Sequence, residues 1–355
     1  MELNFTPVRT SVNYGINTIN IEKNAIFTQK IEKIAKNCLN FKNFETINAD
    51  DIKITSSADI NTSNFLNEDL KQEIEEKSNV KMNISITKNM QKTLLLNFNF
   101  DKNNDILIGS INLNIENCNN AKIIIRFNSE KNISYNNLMI NINCGDETNA
   151  KIIIFDNNIF GSDSLISIES NLQKNASLDL FLANFASKNS IYSYKSNILG
   201  ENSTSNLESL YLGGESSIID LNYTVNVFAP NSKTNIDVMG AISGTAKKHF
   251  KGTIDFKKGC KKSIGQENEF CMLLSNTAKS KALPMILCTE EDVNGKHSSA
   301  VGKVDEKQLF YCLTRGFTYE QALKILVKAK FNNILSNIFD EELRNEILNK
   351  IDGKI

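Results

Sequence analysis

The chain of 355 residues contains no tryptophan, only two histidines, and no apolar run near the roughly 18 residues that span a membrane. Its first residues lack a basic region followed by an apolar one, so no secretion signal is indicated and we expect a cytoplasmic protein. The 40 basic and 41 acidic residues nearly cancel, so no global field favours nucleic acid or an anionic membrane as a partner.

The seven cysteines are odd in number, and no two lie within ten residues of each other. This spacing argues against a disulfide framework and against the close thiolate pairs of zinc or ferredoxin-type sites. Since His249 and His297 are the only histidines, we do not expect a permanent His/Cys metal cage. The sequence also lacks a glycine-rich phosphate loop and a Gly-x-Ser-x-Gly motif, so no enzyme constellation stands out.

Short apolar runs with period-two alternation extend from Val80 to about Lys258, a pattern typical of β-strands. Within them a weak repeat recurs with spacings of 29, 26, 29 and 29 residues, at Ile123, Ile152, Leu178, Leu207 and Ile236. A nearly fixed period in this range predicts stacked coils, and strands in every coil favour a β-helix over helical repeats. An antiparallel sandwich with a coincidental spacing is the alternative. We attribute the abundance of Asn, Ile and Lys mainly to an AT-rich genome.

The regions that flank this segment have a different pattern. Apolar residues at helical spacing predict helices over residues 24–41 and 63–78, and residues 51–55 are typical of a strand. We expect the flanking regions to cover the open ends and edges of the solenoid. The predicted domains are a mixed N-terminal region (1–79), a β-helix core (80–304) and a C-terminal helical domain (305–355).

Two helix starts are encoded near the C-terminus. Asp305 and Thr318 are each followed three residues later by glutamine, which is a capping-box signature, and Gly316 between them is suited to end the first helix. A last helix is predicted to begin at Asp340. The apolar stripes on these helices exceed what a small helical tail can bury internally, which favours a contact with a partner.

The segment that leads into these helices resembles the end of the SufB/SufD family, the β-helical scaffold proteins of the SUF iron–sulfur cluster assembly system. The matching pieces are Lys296-His297-Ser298-Ser299-Ala300-Val301-Gly302-Lys303-Val304-Asp305, Gln308-Leu309-Phe310-Tyr311, Thr314-Arg315-Gly316, and upstream Leu273-Leu274-Ser275 and Leu283-Pro284. Near the start, Thr6-Pro7-Val8-Arg9-Thr10 resembles the N-terminal signature of SufD proteins from low-GC Gram-positive bacteria. The resemblance implies a mainly β fold, with a right-handed parallel β-helix core, a small mixed N-terminal region and a C-terminal α-helical tail.

The resemblance points to His297, because a histidine at this place in SufD proteins is implicated in cluster assembly at the SufB–SufD interface. An imidazole can ligate iron through one ring nitrogen while a neighbouring group orients the other. From the residues alone, a hydrogen-bonded surface histidine is the alternative. Cys271, Cys288 and Cys312 are further candidates for cluster assembly, although Cys312 also fits a buried structural thiol.

Three departures from the family pattern concern thiolate chemistry. Gly295 stands where family members often carry a cysteine, two residues before the histidine. Ala278 stands where SufB has its cluster-building cysteine, and Ser298 replaces the acidic residue that follows the histidine in SufB. The chain therefore fits the supporting role of SufD better than the role of SufB.

In this family the helical tail docks the ATPase SufC. The resemblance assigns that contact to Leu309, Phe310, Tyr311, Arg315, Gly316, Ala322 and Leu326. The expected partners are a SufB-like paralogue, a SufC ABC-type ATPase, and possibly a second copy of the chain. No stably bound cofactor is expected in the chain alone, only iron or an iron–sulfur cluster held transiently at a partner interface. The expected function is a non-catalytic scaffold. The alternatives are a SufB-like homodimeric scaffold with SufC, and a β-helix carbohydrate-active enzyme, which the missing tryptophan disfavours.

Overall fold

A computed structural model of the chain describes residues 1–8, 15–21, 44–47, 52–55, 63–129, 134–158, 161–186 and 188–355. The strands are β1 (Glu2–Leu3), β2 (Ile19–Asn20), β3 (Phe44–Ile47), β4 (Lys53–Thr55), β5 (Val80–Ile86), β6 (Leu94–Asn99), β7 (Ile106–Ile115), β8 (Ala121–Ser129), β9 (Tyr135–Cys144), β10 (Asn149–Asn158), β11 (Asp163–Leu172), β12 (Ser177–Ala186), β13 (Asn189–Ile198), β14 (Thr204–Gly213), β15 (Ile218–Val227), β16 (Lys233–Ile242), β17 (Lys247–Phe256), β18 (Ser263–Leu273), β19 (Lys279–Cys288) and β20 (Val293–Lys303). The helices are α1 (Glu68–Lys77), α2 (Glu306–Thr314), α3 (Tyr319–Leu335) and α4 (Glu341–Lys354).

The strands from β5 to β20 form a parallel β-helix. Consecutive strands alternate between two sheets, which we call the odd sheet (β5, β7 and so on to β19) and the even sheet (β6, β8 and so on to β20). Within each sheet a strand pairs in parallel with the strand two positions later, which gives about seven turns. The predicted parallel β-helix is therefore confirmed, and the antiparallel sandwich is not.

The strands form here because alternate side chains point into the space between the two sheets. These inward side chains make the main hydrophobic core, which runs from Met82 to Ala278. Each turn from an odd strand to the next even strand contains one residue with φ between 51° and 60°: Asn117, Glu147, Asn175, Asn202, Asn231 and Lys262. Asparagine accepts this left-handed backbone more readily than most side chains, and it fills four of the six places.

The strand register corrects the repeat that we predicted. Ile152 pairs with Leu180, not with Leu178, and Leu180 pairs with Leu207. A shift of two residues keeps the same face of the strand, because side chains alternate with a period of two. The predicted alignment therefore selected the correct face but the wrong level in that one strand.

The flanking elements cover the outer faces of the sheets. The strands β1 and β2 and helix α1 pack on the odd sheet, where Leu70 and Ile74 join a cluster with Tyr135. The strands β3 and β4 add antiparallel to β6 and β5 at the first coil. Helix α1 begins after Asn67, later than the predicted residue 63, because the Asn67 side chain caps the Leu70 N–H. The helix predicted over 24–41 lies outside the described residues, whereas β4 confirms the strand predicted at 51–55.

The helices α3 and α4 lie along the outer face of the even sheet. Phe331, Ile347 and Ile351 are fully buried there against residues of successive coils. Both oxygens of Glu346 accept hydrogen bonds from Arg126 at 2.6 Å. Thr318 forms the predicted capping box and Asp340 caps α4. The expectation that the C-terminal helices would cover the end of the solenoid is wrong, because their apolar faces bind a sheet face instead.

Candidate functional site at the open end of the β-helix

The last coil of the β-helix consists of β19 and β20, and each of these strands pairs on one side only within the described ranges. Residues 294–301 of β20 are all exposed. The backbone N–H and C=O groups along both outer edges are therefore free to pair with another strand. The C-terminal end of the solenoid is an open surface.

His297 lies in the middle of β20, and its neighbours fix the direction in which it points. Ser298 donates a hydrogen bond to Asn268 on the outer face at 2.8 Å, and Ser299 donates one to the buried Glu269 at 2.8 Å. Because side chains alternate along a strand, His297 lies on the same face as Ser299, toward the axis of the β-helix. The imidazole is exposed only because no further coil covers it.

Glu267 lies directly beneath His297, since the two residues are register partners in β18 and β20. The Glu267 side chain is fully buried, and neither carboxylate oxygen has a well-formed hydrogen bond within the part of the chain that the structure describes. Burial and the negative charge of Glu269 raise the pKa of Glu267 to about 8, although a contact with the Met285 backbone lowers it. Sequence analysis missed this residue.

A buried ion pair supports the next position along the same strand. Glu269 accepts a hydrogen bond from Lys248 at 2.6 Å, and both side chains are fully inaccessible to solvent. Tyr211 also donates to Glu269, at 3.2 Å. Together with Ser299, these donors satisfy both carboxylate oxygens, and so the last coil is fastened to the coil beneath it.

The three candidate cysteines do not converge on His297. Cys271 is fully buried and pairs with Val301, four residues along β20, which corresponds to about 13 Å. Burial raises the pKa of the Cys271 thiol. Cys288 is exposed at the end of β19 in the opposite sheet, and Cys312 is buried in α2. Among the described residues no group of three or more His, Cys, Asp or Glu side chains could hold a metal ion. These cysteine roles stay predictions.

Gly295 lies where a family cysteine was expected. A Cβ atom at this position would come within 3.1 Å of both Ile286 and Phe256. A larger side chain would therefore require these two neighbours to move by a few tenths of an ångström. The local packing agrees with the glycine in this sequence.

The residues assigned to ATPase docking fall on the turn between α2 and α3. Phe310 and Tyr311 are 68% and 58% exposed, and Arg315 stacks on the Tyr311 ring at 5.0 Å. Gly316 has a φ of 91° and ends the first helix, as predicted. Leu309 and Leu326 are half-buried, and Ala322 is completely buried, so Ala322 can only support the turn.

Four further apolar side chains enlarge this surface. Leu313, Phe317, Tyr319 and Ile325 are between 38% and 54% exposed. With Phe310 and Tyr311 they form what we call the hairpin patch. The sequence contained a signal for it, because aromatic residues flank Gly316 at a turn that cannot bury them.

No helix in the described part of the chain is long and apolar enough to cross a membrane. The fold and the two surfaces define a β-solenoid protein with one open end and an exposed helical hairpin. The chain belongs to the SufBD family, because the family model for the SUF system FeS cluster assembly SufBD core domain matches residues 98–330.

The chain is similar to several proteins of this family over shorter stretches. It is 28% identical over 129 residues to an iron–sulfur cluster assembly SufBD family protein of Mycobacterium tuberculosis, which covers 36% of the chain and 15% of that protein. It is 26% identical over 136 residues to the iron–sulfur cluster assembly protein SufD of Bacillus subtilis (38% and 31%) and 25% identical over 158 residues to SufD of Escherichia coli (44% and 37%). The matched stretches thus span well under half of each relative.

Proposed function

We propose that the chain is a SufD-like, non-catalytic scaffold subunit of an iron–sulfur cluster assembly complex. It pairs with a SufB-like paralogue and docks a SufC-type ABC ATPase, and it handles iron or a cluster only as transient cargo. The observation that carries this proposal is the open last coil with His297 at its centre. Family membership and the similarity to SufD proteins support the same role.

The open edges of β19 and β20 suit a partner that is itself a β-helix. Strand addition supplies backbone hydrogen bonds along both edges at once, and the exposed side chains of β20 supply specificity. His297 is then enclosed at the interface. Since this chain offers a single imidazole and no cysteine beside it, the partner must provide the remaining ligands of the cargo.

The hairpin patch suits recognition in a groove of the ATPase. Phe310 and Tyr311 project from one end of α2, and aromatic side chains together with arginine dominate the binding energy of most interfaces. The patch is separate from the open edges of β19 and β20. Both partners can therefore bind the chain at the same time.

The test is reconstitution of the complex from this chain with the SufB-like and SufC-like proteins of the same organism. Phe310→Asp should abolish co-purification with the ATPase, whereas Phe228→Asp, at a 42% exposed aromatic elsewhere, should not. His297→Ala should leave the complex intact and sharply reduce the cluster formed on it. His249→Ala is the matched control, because His249 lies on the odd sheet and contacts Asp220 at 3.5 Å.

We expect the isolated chain to purify colourless. A stoichiometric cluster on the chain alone, or equal cluster yields with and without His297, would contradict the assigned role. A stable homodimer that assembles clusters with the ATPase and without the paralogue would favour the SufB-like alternative.

A further inference from the structure

One column of inward side chains runs through the even sheet and changes character at its end. The register pairs Leu94 with Ile123, and then Ile152, Leu180, Leu207 and Ile236 follow one coil at a time. These six residues are aliphatic and fully or almost fully buried. The next two members of the column are Glu267 and His297. The only ionisable side chains of the column are thus adjacent and lie at the open end.

The two side chains lie within reach of each other. Register partners in neighbouring parallel strands are about 4.8 Å apart and point to the same face of the sheet. Ser299 and Glu269, the next pair along the same two strands, are already joined by a hydrogen bond of 2.8 Å. The backbone therefore brings His297 and Glu267 together in the same way.

The opposite sheet is shaped around the Glu267 carboxylate. A Cβ atom at Gly252 would lie 1.7 Å from Glu267 Oε1, so only glycine leaves space for this side chain. The residue paired with Gly252 in the last coil is Pro284, which has no N–H to donate. A buried carboxylate with so few donors is costly unless another group supplies one. The exposed His297 is the nearest residue of the column that can.

We propose that Glu267 is the positioning residue of His297, accepting the N–H of one ring nitrogen so that the other nitrogen faces the partner interface. A carboxylate in this role fixes the tautomer of a metal-binding histidine and makes the imidazole a stronger ligand. The inference rests on the proposed function, in which His297 receives the cargo. Glu267 itself stays beneath β20 and does not touch the cargo, because it is fully buried while His297 is exposed.

The structure contains no hydrogen bond between the two side chains within the residues that it describes. The contact forms when the exposed imidazole turns toward the carboxylate, which Gly252 and Phe250 hold in place. Iron bound to the outer ring nitrogen would strengthen the N–H as a donor. Occupation of the site and closure of this contact therefore favour each other.

The test is imidazole ¹⁵N NMR of the full chain at pH 9, where the neutral imidazole and the ionised carboxylate prevail. Two histidines give two sets of signals, and His249 serves as an internal reference for the fold. We expect His297 to show one dominant tautomer in the wild type and a mixture in Glu267→Met, which keeps a similar length without an acceptor. Glu291→Met, at an exposed acid in the turn before β20, is the control and should leave the His297 signals unchanged.

Glu267→Gln provides a second variant of nearly equal shape, which should give an intermediate shift. In the reconstituted complex, Glu267→Met should weaken iron binding on the order of 10–100-fold, the usual effect of losing such a partner. A tautomer mixture in the wild type, or His297 signals that do not respond to Glu267→Met, would overturn the inference. If the tautomer responds but His297→Ala does not reduce cluster formation, the proposed function fails while the Glu267–His297 pair stands.

Discussion

The buried pair of Lys248 and Glu269 allows a quantitative prediction about stability. Lys248→Met and Glu269→Leu each remove one member of the pair, and the double variant removes both. Either single change leaves an opposite charge buried with reduced compensation. After Lys248→Met the carboxylate keeps Tyr211 and Ser299, and after Glu269→Leu the ammonium keeps only the Lys281 carbonyl, at 3.4 Å.

The magnitude follows from the separation of the charges. At 2.6 Å and an effective dielectric constant of about 20, their attraction is about 6 kcal/mol. Desolvation costs several kcal/mol for each ion, so the intact pair contributes little net stability. Removing one partner should lower the free energy of unfolding by about 3–5 kcal/mol. Removing both should lower it by about 2 kcal/mol at most, because the hydroxyl groups of Tyr211 and Ser299 then lack an acceptor.

Urea unfolding of the four proteins at pH 7 measures these differences. The chain has no tryptophan, so tyrosine fluorescence is the natural probe, and five of the eight tyrosines are almost fully buried. The essential result is a double variant that is more stable than both single variants. If the effects of the single changes simply add, the reasoning about an uncompensated buried charge is refuted.

Two further predictions concern the C-terminal helices. Phe331→Ala should cost about 3–5 kcal/mol in thermal or urea unfolding, because this ring is fully buried against the even sheet, whereas Phe310→Ala on the hairpin patch should cost under about 0.5 kcal/mol; equal effects would mean that one of the two side chains is misplaced. Burial raises the pKa of Glu208 to about 7 despite its hydrogen bond from Asn337. A raised carboxyl pKa means that the unfolded chain binds fewer protons, so this group's contribution to stability is fully present below about pH 4.5 and is lost as the pH rises to 7. Glu208→Gln should reduce that decline in unfolding experiments between pH 4.5 and 7.5, and an unchanged pH profile would contradict the assignment.

The fold could be predicted because the repeat is carried by aliphatic side chains at nearly constant spacing. The error at Leu178 arose because Ile152 and Leu180 are 28 residues apart and Leu180 and Leu207 are 27 apart, so an assumed period of 29 selects another residue on the same face. Glu267 was missed for a related reason. The repeat was followed through aliphatic residues only, and it stopped at Ile236, although the next two members of the column lie 31 and 30 residues further on.

The asparagine content has a structural explanation that composition did not suggest. On the outer face of the odd sheet, side-chain amides of successive coils are linked by hydrogen bonds of 2.7–3.1 Å, at Asn83, Asn114, Asn143, Asn171, Asn197 and Asn226. A ladder of this kind satisfies polar side chains that stand side by side on parallel strands. Recognising it from sequence requires the register, since asparagine is also common in the turns.

The position of α3 and α4 determines how the solenoid responds to force. The apolar residues beneath them come from β8, β10, β12, β14, β16 and β18, a distance of about 24 Å along the stack. A solenoid of coils that contact only their neighbours can fray from either end, one coil at a time. Two helices fastened across six strands act as a splint, so these coils must loosen together. The last coil extends beyond the splint, which makes it the compliant part of an otherwise stiff rod.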